Sequence, residues 1–318
     1  MGGVNQIVNR KLPSVSIIIV NYNSSEYLVK CLDSIVRLEK THFVLDKIVV
    51  VDNSSDQRNR YMLEERKEIH LIKNNKNEGF AKACNQGADE TESDYLLFLN
   101  PDTILFKETL DQSVECYENQ KNKGIGVLGV QILSENNEIA KTCSRFPQNF
   151  YFFAKCIGIN RIVHSWNQFM LEWDHRESQK VDEVIGAYFF VSRDIFQLLN
   201  GFDERFFVYY EEVDFCYRLM QKGYYSYYYA DTAIVHSEGG ASKNVKSLRL
   251  FYELRSRILY MQKHKGSRRT RITIHLIKLE YISRWVYLRI QGNHQGTQEL
   301  KSAYEMLGEW VRDWLDRK

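Results

Sequence analysis

The sequence lacks closely spaced cysteines. Its six cysteines are scattered through 318 residues, and no two of them form a C-x-x-C pair. Zinc sites and disulfide frameworks require closer or patterned spacing, so the sequence favours neither. We therefore expect reduced, buried thiols in a cytoplasmic protein, at Cys31, Cys84, Cys116, Cys143, Cys156 and Cys216.

Targeting signals and long apolar runs are also missing. The N-terminal stretch reads MGGVNQIVNRKLP and has no apolar core, which argues against a secretory signal. Gln6 stands where the N-myristoylation pattern requires Ser or Thr. No run of 18 uncharged apolar residues occurs, so we expect no segment that crosses a membrane.

The common glycine-rich nucleotide motifs are absent or out of context. The P-loop pattern G-x-x-x-x-G-K-[ST] does not occur. Residues 124–129 fit G-x-G-x-x-G, but that fingerprint must follow a strand and open a helix. Here it follows a helical pattern and runs into the apolar segment Val130–Leu133. We therefore expect no dinucleotide site of that type.

The charge is unevenly distributed although the composition is ordinary for a globular protein. Hydrophobic residues make up 44% of the chain and charged residues 26%. Residues 1–242 carry 26 Lys and Arg against 34 Asp and Glu, whereas residues 243–318 carry 17 against 7. The net charges of −8 and +10 predict carboxylate chemistry in the body and attraction of the tail to an anionic surface.

The segment Tyr95–Leu99 is a continuous apolar run, typical of a strand that is buried on both faces. Pro101 cannot donate a ladder hydrogen bond, so the strand ends at Asn100 and Asp102 follows at its carboxyl end. Ligands bind at this edge of open α/β sheets. A simple cap for the helix predicted over Lys107–Tyr117 explains the carboxylate equally well.

Three earlier strands end in the same way. The apolar runs Val15–Val20, Lys47–Val51 and His70–Ile72 each lead into Asn, Asp or Ser residues, with helical patterns between them. Alternating strands and helices predict an α/β fold with a parallel sheet, in which these polar ends converge on one cleft. Any one of them is adequately explained as a turn or cap residue. Four together favour a nucleotide-sized polar site.

Residues 143–180 are aromatic and hard to assign, and such a long irregular stretch favours a functional loop or lid. Regular structure returns with a strand over Val184–Val191.

Glu211, Glu212 and Asp214 then follow a strongly aromatic run. Clustered carboxylates beside apolar walls raise one another's pKa and provide a general base. They also suit the first turn of a helix, in which Asp214 pairs with Arg218.

Seven segments in order resemble the family 2 glycosyltransferases, especially the rhamnosyltransferase-like branch. They read VSIIIVNYNSSEYLVKCLDSI, KIVVVDNSSD, NEGFAKACNQG, YLLFLNPD, VIGAYFF, GFDERFFVYYEEVDFCYRL and VHSEGGAS. The resemblance implies a GT-A fold, a Rossmann-like α/β architecture with a mostly parallel sheet flanked by helices. It implies a transferase domain over residues 13–244, with a nucleotide-sugar half (13–134) and an acceptor half (135–244). A basic helical region follows over residues 245–318.

The resemblance also implies the roles of particular residues. Nucleotide-sugar binding falls on residues at strand ends and in the following loops, namely Asn23, Asp52, Asn77, Gly79, Phe80, Asn100, Asp102, Gly186 and Ala187. Asp102 and His236 would hold Mg²⁺ or Mn²⁺ on the donor diphosphate. Glu212 stands at the position of the usual catalytic base, with Glu211 and Asp214 beside it.

Two departures from the family pattern bear on these roles. Asn100 replaces the first Asp of the D-x-D motif, and a neutral amide oxygen is a weaker ligand for a hard cation. A Glu-Glu pair replaces Glu-Asp, which leaves the base open between Glu211 and Glu212. His236 stands at a strand end before a glycine-rich loop, a place that suits a metal ligand or a phosphate contact. A lone histidine is more often structural, and the resemblance decides for the ligand role.

The resemblance implies an inverting transferase that moves a sugar, L-rhamnose from dTDP-rhamnose, to a saccharide or lipid-linked acceptor in bacterial cell-surface polysaccharide synthesis. The alternatives are a UDP-sugar transferase of the same fold and a catalytically inactive nucleotide-sugar-binding protein. A sugar nucleotidyltransferase would need a glycine-rich basic loop after the first strand, whereas residues 21–25 read NYNSS.

The basic tail allows several partners. Residues 243–290 carry 13 Lys and Arg against two acids, and one helical face would gather Ile274, Ile277, Tyr281, Trp285 and Leu288. Such a face suits either an anionic membrane surface or packing on the body or a second subunit as a homodimer. The spacing of Leu300, Tyr304, Leu307, Val311 and Trp314 predicts packing on another helix. No nucleic-acid-binding module is recognisable, so we expect no nucleic-acid partner.

Overall fold

The computed structural model describes residues 11–54, 61–237 and 246–316. Most of the glycine-rich loop predicted after His236 lies outside these ranges, as do Ser55 and Asp56 of the second strand end. The strands are β1 (Ser14–Asn21), β2 (Val44–Asp52), β3 (His70–Lys73), β4 (Tyr95–Leu99), β5 (Thr103–Leu105), β6 (Ile125–Leu133), β7 (Gln179–Val181), β8 (Tyr188–Ser192) and β9 (Tyr225–His236). The helices are α1 (Ser25–Val36), α2 (Tyr61–Glu64), α3 (Phe80–Asp89), α4 (Thr109–Gln120), α5 (Asn149–Cys156), α6 (Arg193–Leu198), α7 (Glu211–Gln221), α8 (Lys246–Ile290) and α9 (His294–Asp316).

Within the described residues the strands form one sheet in the order β3-β2-β1-β4-β8-β6-β9-β5, with β7 paired to β9. The first four strands in this order are parallel, as the alternation of strands and helices predicts. β8 lies antiparallel between β4 and β6, an insertion that no local pattern indicates. The predicted α/β class with a mostly parallel sheet is therefore confirmed, and strands from both expected halves interleave in one sheet.

The sheet is buried on both faces, which explains its continuous apolar strands. Successive residues of β1 point to opposite faces: Ile17 packs in the same cluster as Leu97, whereas Ile18 packs with Phe98. The glycine pattern at residues 124–129 leads into β6, where Gly126 packs closely against Leu219 and Gly129 against Val184. These glycines serve strand packing and open no helix.

The stretch from residue 143 to residue 178 lies between β6 and β7 in the chain. It contains α5, which the sequence pattern does not predict, and two short 3-10 turns at Ile159–Arg161 and His164–Trp166. Asn149 and Cys156, at the two ends of α5, bond to α8, so this segment is held between the sheet and the C-terminal helices.

The C-terminal helices form a hairpin that packs on the body. α8 is broken at Gly266, whose φ of 79° lies in the left-handed region that favours glycine. Residues 267–290, which we call the distal segment of α8, pack against α9 through Ile277 and Leu307. The predicted face of α9 thus packs on another helix, and Ile274 and Tyr281 face α9 instead of solvent. In the ranges that the structure describes, no helix combines the length and apolar character needed to span a bilayer.

Candidate active site

The ends of β1 and β2 are joined by a hydrogen-bonded polar network. Asn21 Nδ2 donates to Asp52 Oδ1 over 2.9 Å and to Ser54 Oγ over 3.1 Å. The backbone N–H of Asn23 donates to the same Ser54 hydroxyl over 2.9 Å. Asn21 and Asp52 are buried, whereas Asn23 is exposed and has a left-handed φ of 53°. The network therefore fixes the loop that presents the Asn23 side chain to solvent.

The loop before α3 is attached to the loop that precedes α7. Asn77 Oδ1 accepts from the N–H of Gly79, and Phe80 N donates to the carbonyl of Phe207 over 2.6 Å. Gly79 has a φ of 92°, and a Cβ there would lie 2.6 Å from the Phe207 oxygen. Only glycine fits without strain, because both the conformation and the contact exclude a side chain. The loop predicted to bind the nucleotide is thus held to the loop before α7, which belongs to the predicted acceptor half.

Asp102 and His236 face each other at the end of the sheet. Thr103 of β5 pairs with His236 of β9, and His236 Nε2 lies 3.1 Å from Asp102 Oδ1. Both side chains keep about a tenth of their surface accessible, at 12% for Asp102 and 11% for His236. Asn100 stands beside them, and its N–H donates to the carbonyl of Ala187 over 3.1 Å. The structure thus brings together the two residues predicted as metal ligands.

A carboxylate oxygen and an imidazole nitrogen are suitable donors for a divalent cation. No set of three or more His, Cys, Asp or Glu side chains arranged for a metal occurs among the described residues. The pair therefore fits a cation that takes its remaining ligands from a diphosphate and water, as Mg²⁺ commonly does.

Glu211 and Glu212 open α7 after two strained residues. Tyr209 and Tyr210 have φ values of 64° and 71°, a region that bulky residues rarely adopt. Among the described residues, Glu211 Oε2 and Glu212 Oε2 are both buried and lack a hydrogen-bond partner. Strain and unpartnered polar atoms are features that often mark functional sites.

Burial is the main reason that the pKa of each glutamate is raised. Burial raises the pKa of Glu211 well above its ordinary value, and the neighbouring charge of Glu212 adds to the effect. Burial also raises the pKa of Glu212, although hydrogen bonds from backbone N–H groups partly oppose it. Both groups are therefore stronger bases than an exposed glutamate once they are ionised.

The two glutamates differ in their access to a cavity of about 490 Å³. Glu212 lines this cavity, whereas Glu211 does not. The wall combines aromatic, cationic and amide side chains from the 143–180 stretch, the loop before α7 and α8, including Tyr151, Phe152, Lys155, Asn160, Gln168, Phe169, Tyr209, Tyr210, Arg249 and Arg257. We call it the acceptor cavity because its wall comes largely from the half of the chain that is predicted to bind the acceptor. Its geometry favours Glu212 over Glu211 as the group that meets a ligand.

Glu183 is a further carboxylic acid in this cavity that the sequence analysis does not identify. It is only 5% exposed, and it accepts a hydrogen bond from the Ser144 hydroxyl. Burial and the charge of Glu212 raise its pKa to about 8, although the bond from Ser144 opposes the shift. The one feature of the sequence that points to Glu183 is its position three residues before Gly186. That position is too general to identify Glu183 as a site residue.

Asp214 has a different environment from the other two carboxylates of α7. It is fully buried and does not line the acceptor cavity. Its oxygens lie 2.7 Å from Arg218 Nε, 2.6 Å from Lys263 Nζ and 2.7 Å from His264 Nε2. Burial opposes ionisation, but the hydrogen bond from His264 and the charges of Arg218 and Lys263 lower the pKa of Asp214. Asp214 therefore joins α7 to α8, and its predicted place in the catalytic group stays a prediction.

The predicted pocket residues Gly186 and Ala187 lie between the two sites. Ala187 is buried just before β8, and its carbonyl accepts the hydrogen bond from the N–H of Asn100. Ile185, two residues earlier, lines the acceptor cavity with Glu212. The Asp102–His236 pair and the acceptor cavity are thus connected through one short chain segment.

Comparisons with known proteins point to one family. A sequence profile described as "Glycosyl transferase family 2" matches residues 16–199. The low-salt glycan biosynthesis hexosyltransferase Agl10 of Haloferax volcanii is 30% identical over 211 residues, and the match covers 65% of this chain but only 62% of that protein.

Two enterobacterial proteins named as rhamnosyl transferases are also similar. The dTDP-rhamnosyl transferase RfbF of Shigella flexneri is 22% identical, with 68% of this chain and 71% of that protein covered. The rhamnosyltransferase WbbL of Escherichia coli is 24% identical, with 79% and 94% covered.

A solved structure shows the fold. The mannosyltransferase PcManGT from Pyrobaculum calidifontis, in complex with GDP-Man and Mn²⁺, superposes with a TM-score of 0.52 at 14% identity, and the match covers 95% of this chain and 76% of that one. The architecture of this chain is accordingly the GT-A fold.

Proposed function

The chain belongs to glycosyl transferase family 2, and on that premise we propose that it transfers a sugar from a nucleotide diphosphate donor to a hydroxyl of a saccharide or lipid-linked acceptor. The observation that carries this proposal is the connection of two unlike sites. An Asp–His pair suited to a cation lies at the end of the sheet, and Asn100 beside it bonds to Ala187. Ile185 of the same segment lines the cavity that contains Glu212.

The donor would lie across the strand ends. Asn23 is the exposed member of the first network and would contact the nucleotide, whereas buried Asp52 shapes the pocket through Asn21 and Ser54. Asn77, Gly79 and Phe80 would border the pocket at the joint with Phe207.

Asp102 and His236 would hold the divalent cation, Mg²⁺ or Mn²⁺, with Asn100 beside them. Such an ion would neutralise the negative charge that develops on the leaving nucleotide diphosphate. The protein provides one carboxylate and one imidazole for this role, and the amide at Asn100 adds no charge. We therefore expect modest metal affinity in the absence of the nucleotide.

Glu212 would act as the base in the acceptor cavity. The acceptor oxygen attacks the anomeric carbon and forms the new C–O bond as the bond to the diphosphate oxygen breaks, and the hydroxyl proton passes to Glu212. A single displacement of this kind inverts the anomeric centre. Burial of Glu212 raises its pKa and so strengthens it as a proton acceptor. Glu211 lies outside the cavity and would act only through its charge.

For the donor we propose dTDP-rhamnose, with bacterial cell-surface polysaccharide as the setting. The support is the resemblance of the motifs to the rhamnosyltransferase-like branch and the names of the two enterobacterial relatives. A UDP-sugar donor is the alternative for the same fold and the same residues.

The test is the melting temperature of the full chain with dTDP, UDP, GDP or CDP, each with and without Mg²⁺ or Mn²⁺. A ligand that binds only the folded state raises this temperature. A metal-dependent shift with dTDP would support the proposal. A larger shift with UDP would exclude the rhamnose donor and keep the transferase, and no shift with any nucleotide would overturn the function.

A further inference from the structure

The distal segment of α8 exposes basic charge without acidic charge. Residues 267–290 contain a single acid, Glu280, and it is buried. Arg257, Lys155 and Arg284 surround Glu280, and their charges outweigh its burial and hold its pKa to about 2. Five basic side chains on the segment are exposed, namely Arg268, Arg269, Arg271, Lys278 and Arg289.

The same segment exposes a stripe of apolar side chains. Ile272, Leu279 and Val286 recur every seven residues and so lie along one side of the helix. They are 42%, 41% and 43% exposed. Ile282 and Ile290 extend the stripe at 55% and 81% exposure. This stripe differs from the one at Ile274, Ile277 and Tyr281, which α9 covers.

α5 lies beside this stripe and continues it. Asn149 Nδ2 donates to the carbonyl of Arg269 over 3.0 Å, and Cys156 Sγ lies 3.3 Å from the carbonyl of Leu276. Phe150, Phe153 and Ile157 recur along the outer side of α5 at 45%, 47% and 53% exposure. The apolar side chains of two packed helices therefore form one surface bordered by the basic residues. We call it the docking face.

The other side of α5 belongs to the candidate active site. Tyr151, Phe152 and Lys155 line the acceptor cavity together with Glu212. An eight-residue helix thus has the docking face on one side and the acceptor cavity on the other.

We propose that the docking face binds the surface of an anionic lipid bilayer and holds the acceptor cavity next to the membrane, where it would receive a lipid-linked acceptor. The assignment of the acceptor rests on the proposed function, whereas the docking itself does not. Exposed apolar side chains beside arginine and lysine suit the boundary between headgroups and acyl chains. A second copy paired through the same face would bring like charges together, because a two-fold interface apposes identical patches. Charge therefore favours the lipid surface over self-association.

The test is flotation of the full chain with vesicles of phosphatidylglycerol and phosphatidylethanolamine, compared with vesicles of phosphatidylcholine alone. We expect binding to the anionic vesicles that weakens as the salt concentration rises. The variant Arg268→Glu/Arg271→Glu/Lys278→Glu should bind roughly a hundredfold more weakly, since each basic residue near the surface contributes attraction. The variant Phe153→Gln/Leu279→Gln should lose roughly tenfold.

A matched control carries the same change in net charge elsewhere. Lys30, Lys67 and Lys123 are exposed and lie outside the docking face, so Lys30→Glu/Lys67→Glu/Lys123→Glu should retain most of the binding. Unchanged melting temperatures would show that all variants are folded.

Three results would overturn the docking. They are absent binding of the wild-type chain, equal losses in the two charge-reversed variants, and a dimer in solution that the Phe153→Gln/Leu279→Gln variant dissociates. The nucleotide melting shift is measured on the same samples. A shift without vesicle binding rejects the docking alone, and vesicle binding without a shift rejects the proposed transferase alone.

Discussion

The proposed donor side and the proposed acceptor side of this molecule have carboxylates in opposite environments. On the donor side, Asp102 keeps part of its surface accessible and faces His236, and Asp52 accepts hydrogen bonds from its neighbours. On the acceptor side, Glu183, Glu211 and Glu212 crowd together in a buried region, and burial raises the pKa of each.

The difference fits the two roles proposed for these carboxylates. A carboxylate that must bind a cation is best kept ionised, accessible and oriented by partners. A carboxylate that must take a proton gains basicity from burial and from like charges nearby. The sheet edge meets the first requirement, and the loop and helix around residues 209–214 meet the second.

The largest expected effect separates the two sides directly. Glu212→Gln should lower the rate of sugar transfer about a hundred- to ten-thousandfold, because the amide cannot accept the acceptor proton. Donor binding should survive, since the change leaves the strand ends intact, and the nucleotide melting shift checks this. Glu211→Gln is the matched control and should cost far less. Transfer at the wild-type rate in Glu212→Gln would move the base elsewhere.

A donor-side change should have the reverse pattern. Asp102→Asn removes the negative charge that faces His236, so the affinity for the nucleotide diphosphate in Mn²⁺ should fall roughly tenfold to a hundredfold. Titration calorimetry with and without the metal measures the effect. Without metal the variant and the wild type should bind alike. Equal affinities in the presence of Mn²⁺ would remove Asp102 from the metal site.

The joint between the sides can be tested through stability. Gly79→Ala places a methyl group 2.6 Å from the Phe207 carbonyl oxygen at a φ of 92°. We expect a loss of about 2–3 kcal/mol in the free energy of unfolding, measured with denaturant. Gly186→Ala is the control, because no atom lies within 4 Å of its added Cβ and its φ is not left-handed. Equal losses in both variants would show that the contact with Phe207 is unimportant.

The smallest expected effect concerns pH on the acceptor side. The pKa of Glu183 is raised from 4.5 to about 8. The folded state therefore binds a proton that the unfolded state has released, and this stabilisation is complete at low pH and declines as the pH rises through the folded pKa. From about pH 7 to about pH 9 the wild type should lose about 1 kcal/mol more than Glu183→Gln, which has no proton to release.

Stability curves of the two proteins measured across this range provide the comparison. Curves that stay parallel would mean that Glu183 is not protonated in the folded state.

The donor side could largely be predicted from the sequence because its features are local. Apolar runs that end in Asn, Asp or Ser place the four parallel strands and their polar ends, and β1 and β4 begin and end within one residue of the expected positions. The facing of Asp102 and His236 depends on the antiparallel pairing of β5 with β9, which no local pattern indicates, so only the resemblance brought these two residues together. The roles of these residues in donor binding remain predictions.

The acceptor side could not be predicted in the same way because it depends on contacts between distant segments. Glu183 is buried through its bond with Ser144, 39 residues earlier. Asp214 pairs with Arg218 one helical turn away, as expected, but Lys263 and His264 arrive from α8. α5 has few polar residues to mark its outer side, so the aromatic stretch around it gives no clear helical period. Local patterns contain no information on these long-range packings.

The bond between Phe80 and Phe207 has a consequence for how this chain tolerates sequence change. It joins two main chains, so it persists whatever side chains occupy those positions, short of proline at residue 80. The neighbouring Gly79 has no such freedom. The side chains on either side of the joint can therefore change without breaking this bond, whereas residue 79 must remain glycine for the two loops to stay in contact.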